Sequence, residues 1–357
     1  MRDVSDSAGS DGASGAWFAV RGSAAARIGK VFFAVMVAAY FALCFSANGS
    51  FLNLQEYTRG EAATPYQYRV LPMFVFRAAM GIPALVAAAR HVEAMHDDPY
   101  RLIMAGIAFV AMLGAMYATQ LTIARLTGDR VYAFWASFSV AYMALLLLAS
   151  SFGLSYTLPY DVPALFFFAL SMYLIVSGRR WWFLVLFPLA VLNRETACFI
   201  TVFYAVWEWV RLAKEGAGTG ERLRRIAPAV LLQMVVWFAI KLYLVRVFGH
   251  NATERNSHVG GLFATNLGFN LREIVKPQQW PILLSVCGFS LPFLYLQRRW
   301  IRCDGMYWAC AIILPLYLAG MMMVGVIVEL RIFTEWIALV VPSLALIVHN
   351  RFRPVAD

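Results

Sequence analysis

The chain has 357 residues, of which 61% are hydrophobic and only 14% are charged, and its formal net charge is +10. A soluble domain carries about 25% charged residues, so this composition excludes an ordinary soluble globular protein and indicates an integral membrane protein. The basic residues lie in short loops between apolar blocks, which is typical of charges that orient membrane helices and argues against nucleic-acid binding. The five cysteines show no CxxC or Cys/His spacing, so we predict neither a disulfide framework nor a zinc site.

The predicted fold is an all-α, polytopic membrane helix bundle. Residues 1–28 are rich in Ser, Gly, Ala and Asp, and we expect them to form a disordered cytoplasmic tail. Residues 29–350 form the predicted transmembrane domain, and 351–357 a cytoplasmic C-terminal tail. About ten apolar stretches predict ten transmembrane helices, at 29–47, 102–124, 131–151, 162–177, 181–193, 197–212, 226–248, 281–297, 306–328 and 332–349.

The basic loops predict which ends of these spans face the cytoplasm. They contain Arg21/Arg27/Lys30, Arg125/Arg130, Arg179/Arg180, Arg211 to Arg225, Arg298/Arg299/Arg302 and Arg351/Arg353. All of them fall on one side only if the apolar stretch 70–89 does not cross the membrane. That stretch contains Arg77 and two prolines, so we expect a re-entrant or interfacial amphipathic helix within one long outer loop, 48–101. A second long outer loop, the fourth loop on that side, is expected at 249–280.

With this topology, polar residues gather on the non-cytoplasmic face. They are Glu56, Glu61, Tyr68, Arg69, Asp161, Asn193, Arg194, Glu195, Glu329 and Arg331. Arginine suits bidentate binding of phosphate, and a carboxylate in a partly dry site can act as a base. Structural roles are also open for several of these residues. Asp161 could cap the next helix, Arg69 could reach lipid phosphates, and Arg194 could pair with Glu195, as Arg331 could with Glu329.

This arrangement resembles the GT-C class of membrane glycosyltransferases, which take a sugar from a polyprenyl-phosphate carrier on the non-cytoplasmic side. Three features carry the resemblance. They are the long first outer loop with acidic residues, the Tyr-Arg-Val-Leu-Pro run at 68–72, and the succession of Asp161, Asn193-Arg194-Glu195-Thr196 and Glu329-Leu330-Arg331. The resemblance covers roughly residues 30–350 in architecture, although the motifs are short.

The resemblance implies an inverting displacement at the anomeric carbon of the sugar. Glu56 or Glu61 is the expected base by its position in the first outer loop, and Asp161 or Glu195 is the expected substrate or metal ligand. Arg69, Arg194 and Arg331 are expected on the phosphate, assisted by a divalent cation, Mg²⁺ or Mn²⁺, if one is bound. The implied partners are a polyprenyl-phosphate-linked sugar, a glycan, lipid or protein acceptor, and membrane lipids.

The basic loops and ten alternating spans predict that both termini are cytoplasmic. The resemblance implies a bacterial inner membrane, with the site on its periplasmic or extracellular face. Two other functions also need polar residues beside apolar helices. One is a polymerase or ligase of lipid-linked glycans, and the other is a transporter or flippase of lipid-linked sugars. A transporter site usually lies at the membrane midplane between internal repeats. The polar residues here cluster at one face, and no internal repeat is visible, which favours the glycosyltransferase.

Overall fold

The computed structural model describes residues 24–48, 50–89, 91–92, 98–149, 157–253 and 266–352. Within these ranges the protein is helical, which confirms the predicted all-α class, and β-structure is limited to one isolated bridge between Thr64 and Thr253. The α-helices are α1 (Ala24–Ala47), α2 (Leu54–Arg59), α3 (Val70–Met80), α4 (Pro83–Ala89), α5 (Pro99–Thr127), α6 (Arg130–Ala144), α7 (Asp161–Val176), α8 (Arg180–Asn193), α9 (Cys198–Lys214), α10 (Thr219–Phe248), α11 (Leu267–Ile274), α12 (Trp280–Leu284), α13 (Ser290–Gln297), α14 (Asp304–Val324) and α15 (Trp336–Phe352).

Six helical segments in the described part of the chain are long and apolar enough to cross a membrane, which supports the predicted membrane class. They are α1, α5, α10 and α14, together with α6 extended to Ala149 and α9 extended back to Glu195. Helices α7, α8 and α15 are apolar but have only 16, 14 and 17 residues. At 1.5 Å per residue they reach about 21–26 Å, less than the roughly 30 Å of a hydrocarbon core. The predicted count of about ten spans is therefore not confirmed.

The predicted continuous span at 281–297 is wrong, because this segment forms two short helices, α12 and α13. The three residues Cys287, Gly288 and Phe289 all have positive φ angles, of 51°, 64° and 61°. A left-handed residue cannot continue a right-handed helix, and only glycine adopts that conformation without cost. The periodicity of apolar residues gave no sign of this break, since the residues on both sides of Gly288 are apolar.

The ambiguous stretch 70–89 is a bent pair, with α3 and α4 meeting at 93°. Gly81 ends α3, and Pro83 begins α4. A bend of this size is compatible with the re-entrant helix that the charge pattern predicts, and also with a broken span. The packing of α3 against α2, α5 and α8 attaches this bent pair to the bundle.

The predicted boundaries of the tails and of the second outer loop need correction. Helix α1 begins at Ala24, so residues 24–28 are helical, while residues 1–23 lie outside the described residues. Helix α15 continues to Phe352, and 353–357 lie outside the described residues. The loop 249–280 contains α11 and a 3₁₀ turn at Pro277–Gln279, and its residues 254–265 are likewise outside.

Helix α7 lies at the centre of the bundle, packed against α5, α8, α9 and α15. The face of α5 towards the core is lined by small residues, among them Ala108, Ala111, Ala115 and Ala118. Small residues let the backbones of membrane helices approach closely. At Gly114 of α5, an added Cβ would lie 2.6 Å from the ring of Phe166 on α7, so the two helices pack too closely there for a larger residue.

The bundle has two chemically different ends. At one end, which we call the basic end, Arg180 of α8 contacts Glu208 of α9 at 2.6 Å, and Lys214 of α9 contacts Asp304 of α14 at 2.8 Å. At the opposite end, Nδ2 of Asn251 donates hydrogen bonds to the carbonyl oxygens of Gly60 and Ala62, at 2.8 and 2.9 Å. These contacts bring the basic segments around 180 and 214 and the start of α14 together at one end, and the loops around 60 and 250 together at the other.

Candidate functional site

The end of the bundle opposite the basic end brings together three arginines and four acidic residues. We call these seven residues the arginine cluster: Arg69, Arg194, Arg331, Asp161, Glu195, Glu329 and Glu335. They come from four chain segments that are far apart in sequence. Six of the seven belong to the set that the sequence analysis placed on one face.

Asp161 lies at the bottom of the arginine cluster and is completely buried. Its Oδ1 is 3.4 Å from Nη1 of Arg194 and 4.0 Å from Nη1 of Arg331. Neither carboxylate oxygen has a hydrogen-bond partner among the described residues. Asp161 is the first residue of α7 and does not cap that helix, so the capping role that the sequence left open does not apply. The electrostatic attraction of two guanidinium groups compensates the carboxylate instead.

Glu335 is the second buried acid of the cluster, and it was absent from the predicted site. Its Oε1 accepts a hydrogen bond from the hydroxyl of Thr196 at 2.5 Å, and its Oε2 accepts one from Nη1 of Arg194 at 3.2 Å and one from the hydroxyl of Tyr317 at 2.9 Å. Its position in the sequence, four residues after Arg331 and directly before α15, was the feature that could have indicated that Glu335 belongs to the cluster. Tyr317 lies within the apolar helix α14, and no pattern in the sequence distinguishes it from an ordinary core tyrosine.

Arg194 and Glu195 are adjacent in the chain but do not pair with each other. Arg194 turns inward to Asp161 and Glu335, whereas Glu195 turns outward to Arg69. The backbone at Arg194 is extended, with φ −160° and ψ 134°, between α8 and the 3₁₀ turn at Glu195–Ala197. Successive side chains of an extended backbone point in opposite directions, which separates the two charges.

Arg69 and Glu195 form the outer edge of the cluster. Nη2 of Arg69 lies 3.3 Å from Oε1 of Glu195, and the exposed fractions of the two side chains are 11% and 29%. Arg69 also donates a hydrogen bond to the hydroxyl of Tyr160, and its guanidinium carbon is 4.2 Å from the centre of that ring. Arg69 therefore points into the protein, towards Tyr160 and Glu195, and not outward to the head groups of bulk membrane lipids. Lys241 reaches this edge as well, with Nζ 4.8 Å from the centre of the Tyr68 ring.

Arg69 at the outer edge and Arg331 beside Asp161 both keep their guanidinium groups charged. Burial by itself lowers the pKa of Arg69, but the facing Tyr160 and Glu195 outweigh this, and the pKa lies above its ordinary value. For Arg331, burial likewise lowers the pKa, but Asp161, Tyr160 and Glu329 together outweigh it, and the pKa lies above its ordinary value. Arg331 is also held by its near neighbour Glu329, with Nη2 and Oε2 2.6 Å apart.

Asn193 connects the cluster to an apolar groove. Its Nδ2 donates to the carbonyl oxygen of Tyr160 at 3.1 Å, while its Oδ1 is buried without a partner among the described residues. The same side chain lines a groove of about 640 Å³ between the bent pair α3–α4 and helices α5 and α7. Apart from Asn193, the groove is lined by aliphatic and aromatic residues, proline and glycine, including Leu71, Val75 and Phe166.

The two predicted bases of the first outer loop are not part of the arginine cluster. Glu56 is an exposed residue of α2, and its Oε1 accepts a hydrogen bond from Nδ2 of Asn53 at 2.9 Å. Glu61 is also exposed, directly after the Gly60 that ends α2. Neither carboxylate forms an ion pair with an arginine of the cluster among the described contacts.

The cluster is not arranged as a metal site. Over the described ranges, no group of three or more His, Cys, Asp or Glu side chains is placed to hold a metal ion. Each of the four acids of the cluster instead faces an arginine, at distances of 2.6–3.4 Å. This donor set does not fit the divalent cation that the GT-C resemblance allows.

The geometry divides the cluster into a closed inner part and an accessible outer part. The cavity beside Arg194, Thr196 and Glu335 has a volume of only about 10 Å³, which leaves no space for a sugar. The side chain of Glu195 is the most exposed of the paired acids. A ligand can therefore meet the cluster at Glu195, Arg69 and Lys241, while the inner charges hold the loops in place.

Comparisons of the chain with protein-family models, with curated proteins and with solved structures found no match.

The inner charges give a prediction about stability. Arg194→Ala leaves Asp161 and Glu335 buried without their shared cation, and we expect it to cost roughly 3–5 kcal/mol of the free energy of unfolding. The matched control is Arg225→Ala, which breaks an exposed i,i+4 pair with Glu221 and should change stability little. Thermal unfolding in detergent, followed by circular dichroism, measures both. Equal melting temperatures for the two variants would contradict the role of Arg194.

Proposed function

We propose that this protein is a membrane glycosyltransferase that takes a sugar from a polyprenyl-phosphate carrier at the arginine-cluster end of the bundle. The observation that carries the proposal is the position of Arg69. Its guanidinium lies at the outer edge of the cluster, beside the partly exposed Glu195, and Tyr160 and Asn193 link it to an apolar groove. A lipid phosphate requires both features, an arginine for the head group and an apolar surface for the chain.

Arg69 is the favoured phosphate ligand because its present acidic partner is weakly held. The Arg69–Glu195 contacts measure 3.3 and 3.5 Å, longer than the 2.7–2.9 Å of a strong charge-assisted hydrogen bond. A phosphate offers several strong acceptor oxygens and competes well for such a guanidinium. Lys241 supplies a second positive charge at the same edge.

The groove beside Asn193 suits the carrier chain. Its volume of about 640 Å³ lies within the range of ligand pockets, and its lining is apolar except for Asn193. The open side of the groove lies between α3–α4 and α5, which carry exposed apolar residues such as Phe74 and Val110. A polyprenyl chain can enter from the bilayer there and bring its phosphate towards Tyr160 and Arg69.

In the proposed step, Glu195 is the base. When the phosphate binds Arg69, the Glu195 carboxylate is released and accepts the proton of the acceptor hydroxyl. The acceptor oxygen forms a bond to the anomeric carbon as the bond from that carbon to the phosphate oxygen breaks. The carrier leaves as polyprenyl phosphate, with its negative charge stabilised by Arg69 and Lys241. No step requires a metal ion.

A second candidate is a flippase or transporter of lipid-linked sugars. The breaks in the helices favour it, namely the 93° bend between α3 and α4 and the left-handed residues 287–289 between α12 and α13. Transporters often bind their substrates at discontinuous helices. A flippase would move the lipid-linked sugar from one leaflet of a vesicle bilayer to the other without releasing polyprenyl phosphate. Measuring the release of polyprenyl phosphate therefore separates the two candidates.

The proposed base can be tested by turnover. The reconstituted protein is given a panel of undecaprenyl-phosphate hexoses with a total membrane lipid extract as acceptor, and released undecaprenyl phosphate is measured by mass spectrometry. We expect Glu195→Gln to reduce release at least about 100-fold, because a general base contributes that much or more. Glu56→Gln and Glu61→Gln should stay within about three-fold of the natural protein. A large loss in either of these with a normal Glu195→Gln would place the base in the first outer loop, and no release from any donor by the natural protein would contradict glycosyl transfer.

The groove can be tested by filling it. Gly106 of α5 lines the groove, and an added Cβ would meet nothing within 4 Å, so Gly106→Leu should fold normally while occupying the space of the lipid. We expect the apparent KM for the long-chain donor to rise at least several-fold, with a smaller effect on a short-chain donor. Gly29→Leu on α1 is the control, because that Cβ is equally unobstructed but lies outside the groove. Equal KM values for the two variants would rule out this groove as the carrier site.

A further inference from the structure

A second groove lies at the basic end of the bundle, far from the arginine cluster. It is formed between α9 and α14 and has a volume of about 710 Å³. Two tryptophans line it, Trp209 with 37% exposure and Trp308 with 50% exposure. At one end of the groove lie Lys214 and Asp304, which contact each other at 2.8 Å. Val206 and Ala213 form part of the apolar wall of the groove. Tryptophan is common at the level of lipid head groups.

The rim of this groove carries more positive than negative charge. Residues 211–225 contain five basic and two acidic residues. Arg211 faces Glu208 and Glu215, and Arg225 faces Glu221. Arg222, by contrast, has no acidic partner among the described ion pairs. Its guanidinium carbon lies 5.4 Å from the centre of the Trp209 ring, and its Nε donates to the carbonyl of Ala217 at 2.7 Å.

We propose that the α9–α14 groove is a binding site for an anionic phospholipid. One acyl chain would lie between Trp209 and Trp308, and the phosphate would contact Lys214 and Arg222. The groove is apolar where α9 and α14 cross the membrane and basic where they leave it, which matches the two parts of such a lipid. Basic pockets between membrane helices at this level are typical sites for acidic head groups. The bound lipid would bridge two helices that already meet closely at Gly305, where an added Cβ would lie 2.6 Å from Trp207.

The two basic side chains favour an anionic phospholipid over a zwitterionic one in this groove, because only the anionic lipid has a net negative charge. A phosphatidylcholine could fill the same apolar space, but its own quaternary amine cancels the attraction of Lys214 and Arg222. Asp304 is half-exposed and satisfies Lys214 only in part, since an ammonium has three donors and Asp304 accepts one contact at 2.8 Å. The head group can therefore bind Lys214 without displacing Asp304.

The test is competition between two lipids that differ only in the head group. The full-length protein in mild detergent is mixed with equal amounts of dioleoyl phosphatidylglycerol and dioleoyl phosphatidylcholine, and bound lipid is counted by native mass spectrometry. We expect the natural protein to prefer phosphatidylglycerol at least about ten-fold. In the double variant Lys214→Gln/Arg222→Gln, the affinity for phosphatidylglycerol should fall roughly five-fold for each basic residue removed. The control Arg224→Gln/Arg225→Gln removes the same formal charge from the same segment and should keep the preference, because neither residue lines the groove or contacts its tryptophans among the described contacts.

Two further measurements keep the result specific to the groove. Ala213→Phe fills the apolar wall without changing charge and should reduce binding of both lipids, with circular dichroism confirming an unchanged helix content. Soluble glycerol phosphate should fail to displace the lipid, since it has no acyl chain. An equal loss in the control double variant, the absence of any preference in the natural protein, or displacement by glycerol phosphate would each overturn the proposal. None of these outcomes depends on glycosyl transfer, so this site can fail or hold independently of the proposed function.

Discussion

A carboxylate that is completely buried in a membrane helix bundle needs positive charge within a few ångströms, because its solvation by water is lost. Asp161 imposes this requirement at the start of the central helix α7. Arg194 from the end of α8 and Arg331 from the turn before α15 meet it, at 3.4 and 4.0 Å. Three loops that are distant in sequence are thereby fixed in one place. Glu335 forms a second ion pair with Arg194, and this pair attaches the start of α15 to the same point.

The accessible chemistry lies one layer above this buried pairing. Arg69 contacts Tyr160, which directly precedes Asp161, and Glu195 directly follows Arg194, so the position of the outer pair depends on the inner residues. The long Arg69–Glu195 ion pair, supported by the buried ion pairs beneath it, is suited to ligand exchange, because only this one pair has to open. The separation explains why loss of Arg194 should damage folding, whereas changes at Arg69 and Glu195 should act mainly on binding and turnover.

The sequence predicted the class of fold, most helix positions and the gathering of polar loops at one end, because apolar length and basic loops reflect the bilayer directly. It failed where the signal was local and conformational. The break at Gly288 depends on three consecutive left-handed residues that no apolar pattern reports. The divergence of Arg194 and Glu195 depends on one extended residue. The sequence left open whether Glu335, in the turn into the last helix, faces the cavity, because a single acid there does not show where its side chain points.

The most direct test of the central claim is a titration that separates the phosphate from the lipid chain. Native mass spectrometry would compare binding of undecaprenyl phosphate with that of undecaprenol, for the natural protein, for Arg69→Gln and for the surface control Arg225→Gln. We expect the natural protein and the control to bind the phosphate at least about ten-fold more tightly than the alcohol, as one charge-assisted contact allows. Arg69→Gln should bind the two lipids nearly equally. Equal binding of both lipids by the natural protein, or an unchanged preference in Arg69→Gln, would contradict the arginine cluster as a lipid-phosphate site.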